Sequence, residues 1–103
     1  MNKYGNIKAG GYASKREFSR AQALKLLEKA GHIQNLREQV QYELSPAVRI
    51  NGRMSASRKY IADFVYIEDG VEVVEDTKGF KTDIYILKRH LMAVAHGISI
   101  RET

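Results

Sequence analysis

Asp63, Asp76 and Lys78 are the residues whose types and spacing can do chemistry in this 103-residue chain. Asp63 lies in the run Tyr60-Ile61-Ala62-Asp63-Phe64-Val65-Tyr66. Asp76 and Lys78 lie in Val71-Glu72-Val73-Val74-Glu75-Asp76-Thr77-Lys78, and Asp69-Gly70 stands between the two runs. Both runs are rich in strand-forming residues, and Asp-Gly is a strong hairpin signal because both positions of the turn take positive φ. A two-residue turn there sets Asp63 directly opposite Asp76. It also puts Lys78 on the same face, diagonal to Asp63, with Ile61, Val65 and Val74 for company. Like charges opposed on neighbouring strands repel, and burial sharpens the conflict unless one acid is protonated or a cation sits between them. A hard divalent cation, Mg2+ or Mn2+, removes it, since such ions take carboxylate and water oxygens and leave room for a substrate phosphate. The ion polarises a phosphoryl oxygen and lowers the pKa of a bound water, while Lys78 orients the nucleophile or offsets developing charge. The plain reading beside this one is a set of solvated strand residues, whose opposition a one-residue bulge would undo.

Positioning these groups needs a sheet and something to back it. Phe18, Ala21, Leu24 and Leu27 repeat at helical spacing from a Ser14 N-cap to a Gly31 stop, which predicts a helix from about Lys15 to about Ala30. Val40, Tyr42 and Leu44 alternate with polar residues in a strand over Ile33 to Leu44. Pro46 interrupts it, and Asn51-Gly52 marks a hairpin between Val48-Arg49-Ile50 and Arg53-Met54. After Gly79, Thr82 or Asp83 can cap a second helix packed through Ile84, Leu87, Leu91 and Val94 and ended by Gly97. Ile98-Ser99-Ile100-Arg101 then reads as a last strand. The expected fold is α+β, a mixed central sheet flanked by helices, with the last strand returning through a helical crossover to pair in parallel. Residues 1–13, with Lys3, Lys8 and three glycines, read as a flexible basic arm, and residues 14–103 as one domain.

With 17 Lys and Arg against 12 Asp and Glu, the net charge of +5 favours a polyanionic partner. Lys15, Arg16 and Arg20 open the first helix, and Arg49, Arg53, Arg58 and Lys59 surround the Asn-Gly hairpin. Lys81 and Lys88 follow the Asp-x-Lys segment, and all these are candidates for phosphate contact beside a solvated charged face. The absence of cysteine excludes disulfides, thiolate zinc sites and a cysteine nucleophile, and suits a reducing cytoplasm. No apolar run is long enough to span a bilayer and none resembles a signal peptide, so no membrane role is expected, and no small-molecule cofactor. His32, His90 and His96 have no metal-ligand spacing. Glu75 has the wrong parity to join Asp76.

Ala62-Asp63-Phe64 followed by Val74-Glu75-Asp76-Thr77-Lys78-Gly79-Phe80 resembles the signature of the PD-(D/E)XK nuclease superfamily, with Ala62 where the proline of the name would stand. The helix, three-strand meander, helix, strand order is similar to its αβββαβ core. More narrowly, the chain resembles a family of small phage-encoded proteins catalogued as a domain of unknown function and related in pattern to Holliday-junction resolvases. Lys3-Tyr4-Gly5-Asn6, Ser14-Lys15-Arg16-Glu17, Leu26 to Gly31 and Tyr60 to Phe80 carry that likeness. It implies a metal-dependent DNA endonuclease with Asp63, Asp76 and Lys78 as its catalytic set. Branched DNA or another recombination or replication intermediate is then the substrate, a homodimer the assembly and the bacterial host cytoplasm the location. It also matches Glu17 to a first-helix acid that supports the metal or its water. Ser14-Lys15-Arg16-Glu17 equally spells a capping box, in which Glu17 would bond back to the Ser14 amide. The competing class is a non-catalytic DNA-binding or partner-binding module that keeps the fold.

Overall fold

The structure, a computed structural model, describes residues 11–103. The expected basic arm lies outside these residues except for its last three, and of those Tyr12 already packs, its ring 5.9 Å from that of Phe18. Ser14 opens α1 (Lys15–Lys29) by accepting from the Glu17 amide at 3.1 Å, which satisfies one first-turn donor. The chain then forms β1 (Gln34–Ser45), leaves the sheet at Pro46, and makes a separate ribbon of β2 (Val48–Ile50) and β3 (Arg53–Ser55) around Asn51-Gly52. It returns as β4 (Arg58–Glu68), turns at Asp69-Gly70, and continues as β5 (Val71–Asp76). Thr82 caps α2 (Asp83–His96), Gly97 ends it at φ 67°, and β6 (Arg101–Glu102) closes the sheet.

The main sheet has the order β1-β4-β5-β6, antiparallel at its first two junctions and parallel at the last. Ala21 and Leu24 of α1 pack with Ile33, Phe64 and Tyr66 on one face. Tyr85 and Met92 of α2 pack with Leu44, Tyr60, Ala62, Val65 and Val74 on the other. The protein is thus α+β with a mixed sheet between two helices, as expected. No helix among the described residues is long and apolar enough to cross a membrane.

Three features depart from the sequence reading. The first is in the strands. Tyr60 and Ala62 face α2 whereas Phe64 and Tyr66 face α1, so the side-chain alternation of β4 reverses at Asp63. The same reversal occurs in β1, between Leu36 on the α1 side and Val40 on the α2 side. Glu38 pairs with Phe64 and Val40 with Ala62, leaving Gln39 and Asp63 between them, and Gln39 holds a φ of 54° in mid-strand. A break in both pleats therefore coincides with one of the candidate catalytic acids.

The second departure concerns α2. Leu87 and Val94, expected to pack, are 57% and 70% exposed, and Ile84 is exposed with them; only Leu91 of that set reaches the core. Tyr85 and Met92, seven residues apart, face the sheet instead. An apolar count assigned the face wrongly because Tyr85 carries a polar tip, which Glu102 satisfies at 2.7 Å. Third, the last strand is displaced toward the C-terminus. The Ile98 amide donates to Met92 O as part of the helix closure, Ile98 and Ile100 pack on the core, and Arg101 and Glu102 make the ladder.

Candidate active site

The β4–β5 register runs as the Asp-Gly turn dictates, with Val65 opposite Val74 and Phe64 opposite Glu75 as the last pair. Asp63 and Asp76 are the next residues along, where the ladder stops and the strands have room to part. Asp63 Oδ2 accepts from the Thr77 amide at 2.9 Å. Asp76 is buried. Its Oδ2 accepts from the Tyr60 hydroxyl at 2.5 Å, and its Oδ1 has no hydrogen-bond donor among the described residues. Lys78 Nζ lies 3.4 Å from that bare oxygen, an ion pair rather than a hydrogen bond. Ile61, expected on the same buried face, is half exposed, because β4 there extends past the end of β5.

Lys78 is fixed at both ends. Its amide donates to Thr103 O and the Thr103 amide donates to Asp76 O, which prolongs the parallel pairing beyond β6. Its ammonium stands 4.9 Å from the centroid of the Tyr85 ring, a cation–π contact. The Tyr85 hydroxyl donates to Glu102, which Arg89 also holds at 2.8 Å, so the ring under Lys78 cannot swing freely.

The electrostatics follow from this packing. Burial pushes the Asp63 carboxyl up to about 7, helped by hydrogen bonding with Asp76 and by the charges of Asp76 and Glu17, against the Thr77 amide. Burial also raises the Glu17 carboxyl, as do the charges of Asp76 and Glu38, while Lys78 opposes them. Tyr60 is held protonated by burial and by Asp76, which keeps its hydroxyl a donor. Asp63 and Asp76 are therefore close enough to oppose each other's ionisation.

Glu17 is buried and joins this group. Its carboxylate is taken by Gln39 Nε2 at 3.2 Å, so the capping box is half made: Ser14 receives the Glu17 amide, while the Glu17 side chain turns into the site. Glu17, Glu38, Gln39 and Asp63 line an acidic cavity of about 650 Å³. On the other side, Lys59, Tyr60, Asp76, Tyr85 and Lys88 line a cavity of about 450 Å³, and Lys78 borders both. The acid pair is thus a wall between an acidic and a basic compartment. Among the described residues no three or more His, Asp or Glu side chains form a ready metal cage. Glu17 is brought near Asp63 and Asp76 but does not close a three-carboxylate set with them. The bare, buried Asp76 Oδ1 is nonetheless the kind of hard donor a magnesium or manganese ion takes, and one or two carboxylates suffice for such ions.

Of the other candidates, Lys88 reaches the basic cavity, and Lys15 and Arg16 are exposed at the start of α1. Lys81 lies 3.9 Å from Glu102. Arg53 and Arg58 sit on or beside the ribbon, away from the acids, Arg58 donating to Ser55. Arg20 is placed differently from expectation: its guanidinium grips Glu75 through two nitrogens, at 2.7 and 3.0 Å, and is removed from the set open to phosphate. The sequence reading assigned no role to Gln39, Tyr60 or Tyr85. Tyr60 and Tyr85 lie off the core faces expected for their strand and helix, and nothing in the sequence marks Gln39 as strained.

Fold and site together define a small α+β domain whose meander ends on two apposed carboxylates and a clamped lysine. The chain belongs to the family described as protein of unknown function DUF1064, which it matches over residues 1–99. That bears out the part of the resemblance that pointed to a domain of unknown function. Comparison with curated proteins gives no match.

Proposed function

We propose that the protein is a metal-dependent DNA endonuclease of the PD-(D/E)XK type, hydrolysing phosphodiester bonds with Asp63, Asp76 and Lys78. The observation that carries this reading is the buried Asp76 Oδ1, which has no hydrogen-bond donor among the described residues and only the Lys78 ammonium 3.4 Å away, beside a neighbouring acid raised to about 7. A structural carboxylate buried without a donor costs about 1–3 kcal/mol or more, and a fold has little reason to keep one. Asp63 and Asp76 would hold a magnesium or manganese ion, with Glu17 reaching it through water. When bound, such an ion lowers the pKa of an attacking water and polarises the phosphoryl oxygen. Tyr60 holds Asp76 Oδ2 and leaves Oδ1 free. Lys78, on the border of both compartments, offsets the charge that develops on the phosphate, and Lys88 with Lys59 receives the adjacent backbone.

The branched-DNA substrate, the phage origin and the host-cytoplasm location rest on the resemblance. A four-way junction needs two matched cuts, which calls for a two-fold homodimer. The outer face of α2 supports one. An antiparallel pairing about an axis near His90 would set the exposed Leu87 of each copy against the exposed Val94 of the other.

The test is incubation of the folded protein with a labelled four-way junction, a linear duplex and a single strand, with and without Mn2+. Metal-dependent cleavage that Asp76→Ala abolishes while DNA binding persists is the expected result. A folded protein that cuts none of the three overturns the assignment, and preference for linear duplex overturns its resolvase refinement alone.

A further inference from the structure

Nineteen residues between Glu43 and Asp63 contain no acid, yet they hold Arg49, Arg53, Arg58 and Lys59. Their centre is the β2–β3 ribbon, a separate sheet that among the described residues pairs only with itself. Every residue from Pro46 to Met54 is exposed, and Val48, Ile50 and Met54 remain 53%, 53% and 59% open to solvent. A lone two-stranded hairpin is marginal in water, and exposing three apolar side chains on it worsens the balance. The molecule is flat and extended, 52 × 41 × 18 Å with a radius of gyration of 15.8 Å, where a compact domain of this length would have about 13 Å. Arg49 and Arg58 each commit one nitrogen locally, to Gly52 O and Ser55 Oγ, and keep the rest of the fork available.

We propose that the β2–β3 ribbon is an arm that enters a groove of duplex DNA beside the cleavage point. This rests on the DNA-nuclease reading above and adds a binding surface to it. A two-stranded ribbon fits the B-DNA major groove, its arginines meet phosphates or base edges, and its apolar side chains meet thymine methyls and sugars. Geometry sets the reach. Eleven residues of chain run from Asp63 back to Gly52, at most about 36 Å at strand rise, and one turn of B-DNA is about 34 Å. Arg58 and Lys59 lie along that path, and Lys59 borders the basic cavity at Asp76. The basic track is thus continuous from the arm to the acid pair, and the arm meets DNA no more than one helical turn from the bond to be cut.

Binding is measured by fluorescence anisotropy in chelator, so that no cleavage intervenes, on duplexes of about one and about three helical turns. Arg49→Gln with Arg53→Gln should weaken binding to the long duplex about tenfold or more and the short one less. The slope of log K against log salt should become shallower by about 0.9 for each phosphate that the variant no longer neutralises. Val48→Ser with Ile50→Ser should weaken the long duplex without changing that slope. Both pairs are exposed, and circular dichroism confirms the fold. Unchanged affinity and slope on the long duplex overturn the arm while leaving the nuclease reading intact. Loss of self-association with DNA affinity retained overturns it too, making the ribbon a protein-binding surface. If the parent protein binds neither duplex, the DNA reading itself fails.

Discussion

Glu75 and Asp76 are neighbours in the chain, both buried, and they point to opposite faces of β5. Glu75 is fully answered: Arg20 grips both of its oxygens, Tyr66 donates at 2.5 Å and Thr103 at 2.9 Å. Burial pushes its carboxyl up, but these donors outweigh burial and hold it below the usual carboxylate range. Among the described residues Asp76 has one hydrogen-bond donor, Tyr60, and a second oxygen met only by the Lys78 ammonium at 3.4 Å, beside Asp63. The same strand therefore carries an acid that the fold has satisfied and one it has left wanting. The first is how a protein buries a charge for structure; the second is how it keeps one for a ligand.

The largest effect expected from breaking this contrast is in opposite properties of the two residues. Arg20→Met leaves the Glu75 charge buried without its main partner and should cost about 3 kcal/mol in chemical denaturation, the low end for a broken buried pair because Arg20 is itself partly exposed. Asp76→Asn should hold or raise the stability of the metal-free protein, since it removes a starved charge, while lowering metal-dependent cleavage at least about 100-fold. If Asp76→Asn unfolds the protein and Arg20→Met does not, the assignment of structural and functional acids is reversed.

The two faces should also titrate apart. Glu75 has a depressed folded-state value, so its stabilisation is present above the ordinary value of 4.5 and is lost as the pH falls below it. Asp63 is raised from 3.8 to about 7, so between these values the folded state binds the extra proton and stability falls as pH rises. Metal-free protein should be most stable at the lower end of that window and flatten above pH about 7. Asp63→Asn should reduce the upper slope to the part that the raised Glu17 carboxyl contributes, and Arg20→Met should blunt the lower one. Thermal denaturation in chelator across pH 3 to 8 reads both, and a slope that Asp63→Asn leaves unchanged would remove Asp63 as a source.

Much of this arrangement was legible in the chain. The Asp69-Gly70 turn fixes the register, since a two-residue turn admits one pairing, and Ser14, Gly31 and Gly97 mark the helix ends through local chemistry. What the sequence withheld depends on long-range packing. Arg20 and Glu75 are 55 positions apart, and each looks like an ordinary surface charge until α1 lies on the sheet. The sequence reading put neither Tyr60 nor Tyr85 in the core, and only the fold shows their rings buried and their hydroxyls on Asp76 and Glu102. The α2 face misled for the converse reason: leucine and valine at helical spacing signal burial, but nothing in the chain says against what.

Gln39 offers the smallest and most discriminating effect. It is the positive-φ residue that lies in mid-strand at the pleat reversal, and its amide secures the Glu17 carboxylate. A non-glycine residue there costs about 1–2 kcal/mol in backbone strain, while glycine would lose up to about 1 kcal/mol through a freer unfolded chain. Gln39→Gly should therefore leave stability within about 1 kcal/mol of the parent or raise it, in contrast to Arg20→Met. At the same time it releases Glu17, so Mn2+ affinity by calorimetry should fall about tenfold, the usual loss for an outer partner of a metal site. Gln39→Asn tolerates the left-handed backbone and keeps an amide, and should recover part of that affinity. If Gln39→Gly instead destabilises the fold with metal binding intact, the strain at this position serves the sheet, and Glu17 stands in the site without its help.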